Sequence, residues 1–197
     1  EIRLSLVGSE MCIRDRLKHD KNGSVRLYAA RALGELGDSA ATTHLIESLR
    51  EDRNVDVRVR AARALGRLGG AIVVEPLVES LNDENPQVCI TATDALIEIG
   101  DVATDALIAS LDHEKVNVRC DATRALGEIG NKKAVDKIIN MLYDEWVNVR
   151  IYAVTSLGKL NDTKAVPALI DVMKNHSENE LVRAGACLLY TSDAADE

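Results

Sequence analysis

Apolar residues along this chain recur with a helical period inside a longer one, so their pattern predicts both the elements and the way they stack. The segments VRLYAARALGELG from Val25, VRVRAARALGRLG from Val57, VCITATDALIEIG from Val88, VRCDATRALGEIG from Val118 and VRIYAVTSLGKLN from Val149 align without gaps, and a sixth copy begins at Val182. Successive anchor valines lie 32, 31, 30, 31 and 33 residues apart, the near-constant spacing of a repeat architecture. In each copy the first, fifth, eighth, ninth and twelfth positions are apolar or small, as Val25, Ala29, Ala32, Leu33 and Leu36 are in the first. Those positions share one face of a 3.6-residue helix.

Between these helices lie shorter apolar patterns, AATTHLIESL, IVVEPLVESL, VATDALIASL, AVDKIINML and AVPALIDVM, again at helical spacing. Each repeat therefore reads as a hairpin of a first and a second helix. Complete hairpins are expected at 38–69, 70–100, 101–130 and 131–161, with partial repeats at 17–37 and 162–186. The Gly or Asn that closes most copies suits a C-cap. Ser24, Asp56, Asn117 and Asn148 directly precede an anchor valine and are predicted as N-caps. The signature V-R-x-x-A-x-x-A-L-G resembles the HEAT-like repeat of phycobilisome lyases, and it covers nearly everything from Leu17 to Ala186. The resemblance implies an all-α fold, a right-handed α-solenoid of antiparallel helical hairpins whose second helices line a concave wall.

Outside that span the periodicity stops, and the tails EIRLSLVGSEMCIRDR and CLLYTSDAADE need another origin. Glu10 to Arg16 and Cys187 to Ser192 can be encoded by DNA strands that are reverse complements of each other and resemble a transposase end sequence used in library preparation. Residues 1–16 and 187–197 are therefore expected to be adapter-derived rather than native, and 17–186 to be a fragment of a longer protein. Without the tails, Lys plus Arg falls from 24 to 21 and Asp plus Glu from 32 to 26.

Composition narrows the function classes. A chain that is 46% hydrophobic and 28% charged is neither disordered nor membrane-embedded. No run of about 18 apolar residues is present to span a bilayer, and a cytoplasmic location is expected. The formal charge of -8 disfavours nucleic acid, whose phosphates call for a basic surface.

Residues suited to catalysis are sparse. Cys89 and Cys120 stand one in each of two successive repeats without C-x-x-C spacing and read as structural thiols. His19, His44, His113 and His176 lack H-x-x-x-H spacing and read as surface imidazoles. The pair His113-Glu114 resembles the iron-binding His-Glu pairs of deoxyhypusine hydroxylases, also HEAT-repeat proteins. Those pairs occur in several repeats and lie on helices, whereas here a single pair falls in a turn. With no phosphate loop or nucleophile elbow in the sequence either, no catalytic residue, metal or cofactor is expected.

Two recurring sets of polar residues remain. Arg26, Arg58, Arg119, Arg150 and Arg183 follow the anchor valine, and Asp20, Asp52, Asp83, Asp112 and Asp144 lie five or six residues before it. A guanidinium and a carboxylate in every layer predict a structural ladder, with one rung missing where Cys89 replaces Arg. The seventh and eleventh positions point away from the core and vary: Arg31 and Glu35, Arg63 and Arg67, Asp94 and Glu98, Arg124 and Glu128, Thr155 and Lys159. The fourth position adds Tyr28, Arg60, Thr91, Asp121 and Tyr152 on the flank, and the third an aliphatic or Cys floor of Leu27, Val59, Ile90, Cys120 and Ile151. The resemblance places this surface on the concave side. Tyr28, Arg31, Arg60, Arg63, Arg67, Asp94, Glu98, Asp121, Arg124 and Tyr152 are thus the candidate partner-binding residues, and Trp146, in a turn, is a further interaction hint if exposed. The expected function is non-catalytic protein binding; the family resemblance implies, as the alternative, a bilin lyase or chromophore-handling subunit.

Overall fold

The computed structural model describes residues 2–193, with side chains from Glu10 to Leu189. Of the two tails, residues 1 and 194–197 lie outside the described residues, as do the side chains of 2–9 and 190–193. Among the described residues all regular structure is helical, and the hairpins stack as a HEAT-like α-solenoid. The chain forms two compact units, Glu1–Ala103 and Thr104–Glu197. The first holds the pairs α1 (Ile2–His19) and α2 (Gly23–Leu36), α3 (Thr42–Glu51) and α4 (Val55–Leu68), and α5 (Val74–Glu79) and α6 (Pro86–Ile99). The second holds α7 (Thr104–Ser110) and α8 (Val116–Ile129), α9 (Val135–Met141) and α10 (Val147–Leu160), and α11 (Val166–Lys174) and α12 (Glu180–Asp193). No helix of the described residues is long and apolar enough to cross a membrane. Helix α1 runs unbroken through residue 16 and α12 through residue 187.

The periodic positions form the core. Val57, Ala61 and Leu65 of α4 are fully buried, as are Val88, Ala92 and Leu96 of α6 and Leu126 of α8. Leu45, Leu77, Leu107 and Ile138 of the first helices close over them. Burying each such leucine or isoleucine stabilises by about 1.5–3 kcal/mol. Val25 and Leu36 depart from the pattern: they are 36% and 49% exposed, because α2 has a second-helix neighbour, α4, on one side only among the described residues.

Helix starts differ from the sequence expectation. Asn22, Asn54 and Asn85 are the N-caps, their side chains accepting from the Ser24, Asp56 and Gln87 amides at 2.9 Å. Ser24, Asp56, Asn117 and Asn148 each stand second in their helix, where an oxygen no longer reaches the free amides ahead of it. The anchor valine is the third helical residue, so the cap falls three positions before it. Ends behave as expected where Gly37, Gly130 and Asn161 take left-handed backbone angles.

Adjacent second helices approach closely through the glycine of the A-L-G signature. A Cβ on Gly34 would lie 2.7 Å from the Ala64 Cβ, and one on Gly66 2.8 Å from the Ala95 Cβ. In the second unit a Cβ on Gly127 would overlap Ser156, whose hydroxyl donates across the seam to the Thr123 carbonyl at 2.8 Å.

The ladder joins Arg26, Arg58, Arg119 and Arg150 to the turn of the next layer, whereas the buried Nε of Arg183 finds no partner among the described residues. Arg26 donates through Nε and Nη2 to the Asp52 carboxylate at 2.7 and 2.8 Å, while Nη1 donates to the Asp20 carbonyl of its own turn at 2.9 Å. Arg58 repeats this with Asp83 and the Asp52 carbonyl, all at 2.9 Å. In the second unit Arg119 binds Asp144 at 2.8 and 3.1 Å. Arg150 places Nε and Nη2 on one oxygen of Glu178, a rung without Asp. Cys89, at the arginine position, sends its thiol to the Asp83 carbonyl at 3.3 Å and forms no ion-pair rung.

Two residues assigned to the ladder leave it. The Asp20 carboxylate accepts from Arg16 and the Asn22 amide, and Arg26 uses only its carbonyl. Asp112 is 72% exposed, 3.8 Å from Lys137. The position six before Arg119 is His113, not Asp112. Its Nδ1 accepts from the Lys115 amide at 3.0 Å, as Asp52 accepts from Asn54 and Asp144 from Trp146.

Burial alone would raise the Asp52 carboxyl, but the Arg26 side chain and the Asn54 amide outweigh it and hold it below its ordinary value. A depressed folded value stabilises fully above the unfolded carboxylate pKa of about 3.9 and is lost as pH falls through the folded one. Thermal melts from pH 7 to pH 2 should therefore show wild-type stability falling below about pH 4, with Asp52→Asn less stable at neutrality and shallower in its acid decline. An unchanged acid slope in that variant would remove Asp52 from this account. Gly66→Ala should destabilise by about 1–3 kcal/mol in urea unfolding through overpacking, against the roughly 1 kcal/mol gain that helix propensity alone would give.

Candidate functional site

The buried face of each second helix is committed to packing and to the ladder, which leaves one outward strip. In the first unit that strip carries Tyr28, Arg31 and Glu35 on α2, Arg60, Arg63 and Arg67 on α4, and Asp94 and Glu98 on α6. Tyr28 is 65% exposed. Arg60 is half-buried, and Arg31, Glu35, Arg63, Arg67, Asp94 and Glu98 are exposed. Thr91, expected on the flank, is instead buried, its hydroxyl donating to the Gln87 carbonyl one turn back. The floor is half-covered: Leu27 and Val59 are partly buried and Ile90 is 46% exposed.

In the second unit Asp121 and Arg124 are half-buried, Glu128, Tyr152, Thr155 and Lys159 are exposed, and Cys120 is buried. Lys159 pairs with Glu128 across α10 and α8. Trp146 is 53% exposed at the start of α10. Neither His44 nor His113 is a freely solvated imidazole. His44 is half-buried with an Nδ1 lacking a partner, and His113 serves the turn described above.

Charge on the strip is uneven. Arg31 donates to Glu35 one turn along at 2.7 Å. That bond, together with the Arg31, Arg67 and Arg60 charges, holds the Glu35 carboxyl below its ordinary value. Around them Arg31, Gly34, Glu35, Arg60, Arg63, Ala64 and Arg67 line a pocket of ≈ 260 Å³. The pocket exists because Gly34 and Ala64 meet at the α2–α4 seam, so its floor is backbone and methyl while long side chains rise on both sides.

No three His, Cys, Asp or Glu side chains converge as a metal site would require among the described residues. Cys120 lies against buried surroundings that push its thiol up to about 11, reinforced by the Asp121 and Asp144 charges. A thiol so raised is a poor nucleophile at neutral pH.

The HEAT repeats family model matches residues 12–97, 42–116, 74–148 and 104–189. Among solved structures the chain is similar to one from the complex of CpcE and CpcF of phycocyanin lyase from Nostoc sp. PCC7120. The two are 26% identical over 89% of this chain and 74% of that one, with a TM-score of 0.56. It is also similar to human deoxyhypusine hydroxylase, 20% identical over 95% of this chain and 85% of that one at a TM-score of 0.52. A third likeness is to a chain from a study of microtubule plus-end tracking by XMAP215, CLIP-170 and EB1, 18% identical over 91% and 89% at 0.68. These last two are likenesses of fold alone. No curated protein sequence matches.

Alkylation of the native protein with iodoacetamide near pH 8, read by peptide mass spectrometry, should modify the exposed Cys12 and Cys187 and spare the buried Cys89 and Cys120. Rapid labelling of Cys120 would contradict the burial described.

Proposed function

The chain belongs to the HEAT repeat family, and from that premise we propose that it is a non-catalytic scaffold that binds a protein partner through the outward strip of its second helices. The observation that carries this reading is a division of labour along each second helix. The arginine after the anchor valine is spent on the next turn and the small residues on the seam. The side chains at the fourth, seventh and eleventh positions vary from copy to copy, and nearly all of them face outward. Helices about 8–10 Å apart give the three second helices of one unit a width of roughly 16–20 Å. That width accepts about five or six residues of extended chain at about 3.3 Å each. Tyr28, Arg60, Arg63 and Arg67 in the first unit, and Asp121, Arg124 and Tyr152 in the second, are the proposed contacts, with exposed Tyr and Arg side chains suited to anchoring.

A second reading rests on the 26% identity to a chain of the CpcE and CpcF complex: a subunit of a lyase-type assembly that handles a bilin. Nucleic acid is not favoured, because Asp94 and Glu98 interrupt any basic track beside α4.

Selection from a phage-displayed library of disordered peptides should enrich binders whose hydrogen-exchange footprint falls on α2, α4 and α6 or on α8 and α10. A footprint confined to the first helices, or no enrichment, would refute the scaffold reading. Incubation with phycocyanobilin is expected to leave the bilin absorption unchanged, and a red-shifted or covalently retained pigment would favour the lyase reading instead.

A further inference from the structure

Among the described residues, three guanidiniums on α4 have no carboxylate within ion-pair distance. Arg60, Arg63 and Arg67 recur at the spacing that places side chains on one helical face. All three line the pocket at the α2–α4 seam. Elsewhere on the second helices opposite charges meet: Arg31 with Glu35, and Lys159 with Glu128. The pocket contains four arginines and one glutamate, in a chain whose formal charge is -8. Like charges one turn apart cost the helix a few tenths of a kcal/mol per pair, and neither the core nor the ladder uses these side chains.

The geometry sets what fits. At about 1.5 Å per residue, Arg60 and Arg67 are roughly 10 Å apart along α4. An extended chain spans that distance in about three residues and sends alternate side chains to one side. The floor at Gly34 and Ala64 carries no side chain beyond a methyl group, so a backbone can lie in the seam while its side chains reach the guanidinium rim. At the Arg67 end of the trough the sign reverses, since the Glu98 carboxylate lies over Gly66, 3.3 Å from where a Cβ would stand.

Building on the scaffold reading, we propose that this pocket binds a short acidic segment of the partner protein, two carboxylates at alternate positions pairing with Arg60, Arg63 and Arg67. A basic residue follows at the Arg67 end, beside Glu98. Arginine suits the task because its planar fork takes a carboxylate through two parallel bonds. A long polyanion fits poorly, because continuing past Arg67 brings phosphates against Glu98.

The test uses fluorescence anisotropy with the full chain and a fluorescein-labelled peptide, Gly-Glu-Gly-Glu-Gly-Lys, beside a version with both glutamates replaced by glutamine and a labelled 20-nucleotide oligo(dT). The acidic peptide should bind at least tenfold more tightly than the glutamine version, and weaken as salt rises. Arg63→Glu/Arg67→Glu should lower its affinity at least tenfold, and Arg63→Gln by a smaller factor. A charge-matched control on exposed residues outside the pocket, Lys21→Glu/Arg53→Glu, should leave it unchanged. Circular dichroism melts establish that each variant is folded. Equal affinity for the two peptides, an equal loss in the control variant, or tighter binding of the oligonucleotide would each overturn the proposal. If library peptides still footprint the second helices while the acidic peptide fails, this inference falls and the scaffold reading stands.

Discussion

The fold depends on a guanidinium held between two turns. Arg26, Arg58, Arg119 and Arg150 each give two donors to a carboxylate on the next layer and a third to a main-chain carbonyl on their own, as Arg26 does with Asp52 and Asp20. The pairs are largely withdrawn from water: the Arg119 and Asp144 side chains are 9% and 8% exposed. Desolvation cancels much of the attraction in such a pair, so it contributes little net stability. Removing one partner costs about 3–5 kcal/mol, because the other is left buried and uncompensated. Its main effect is therefore on register. In a solenoid each repeat touches only its neighbours, and apolar packing alone tolerates sliding; a bidentate bond between consecutive turns does not.

Fixing the layers from the turn side has a consequence on the opposite edge of the second helix. Once the arginine and the A-L-G seam set the rotation and spacing of the helices, the seventh and eleventh positions face outward whatever residue they carry. Packing does not restrict them, and the copies differ there in charge and size. The same seam makes the pocket, because a glycine and an alanine facing each other leave a trough between rows of long side chains. The third copy lacks both devices, with Cys89 in place of arginine and Ile97 in place of glycine, and the division between the compact units falls shortly after it.

The helices, their pairing and their buried faces were legible in the sequence because a pattern repeated six times averages away local exceptions. What was not legible depended on displacements of one or a few residues. The polar residue next to the anchor valine resembles a cap, whereas the chain enters the helix earlier and uses Asn22, Asn54 and Asn85; three asparagines at the same offset are the available signal. Asp112 looked like a ladder residue because it is acidic and nearly in register, yet the register position belongs to His113, which takes up the cap duty but not the ion pair. Glu178 falls outside an aspartate pattern, yet its longer side chain, from one position further on, reaches Arg150 as well. Thr91 shared a column with exposed residues, but its hydroxyl bonds its own helix and its methyl group suits burial. Exposure was legible at the eleventh position but not at the fourth, where Thr91 is buried and Arg60 and Asp121 are half-buried; which charges would find partners was not, since that depends on side-chain reach across a seam.

Net charge is a weaker guide to the partner than this local arrangement. At about 0.15 M salt the screening length is about 8 Å, shorter than the span from Arg60 to Arg67, so acidic residues on distant layers barely alter the potential in the pocket. A chain of formal charge -8 can therefore present a cationic trough. What limits the anion it accepts is the nearest fixed charge of opposite sign. Glu35 lies inside the trough but is neutralised by Arg31, whereas Glu98 stands at its edge and has no such bond among the described residues. The selectivity expected of the site, short and acidic rather than long and polyanionic, follows from that one carboxylate more than from the protein's overall sign.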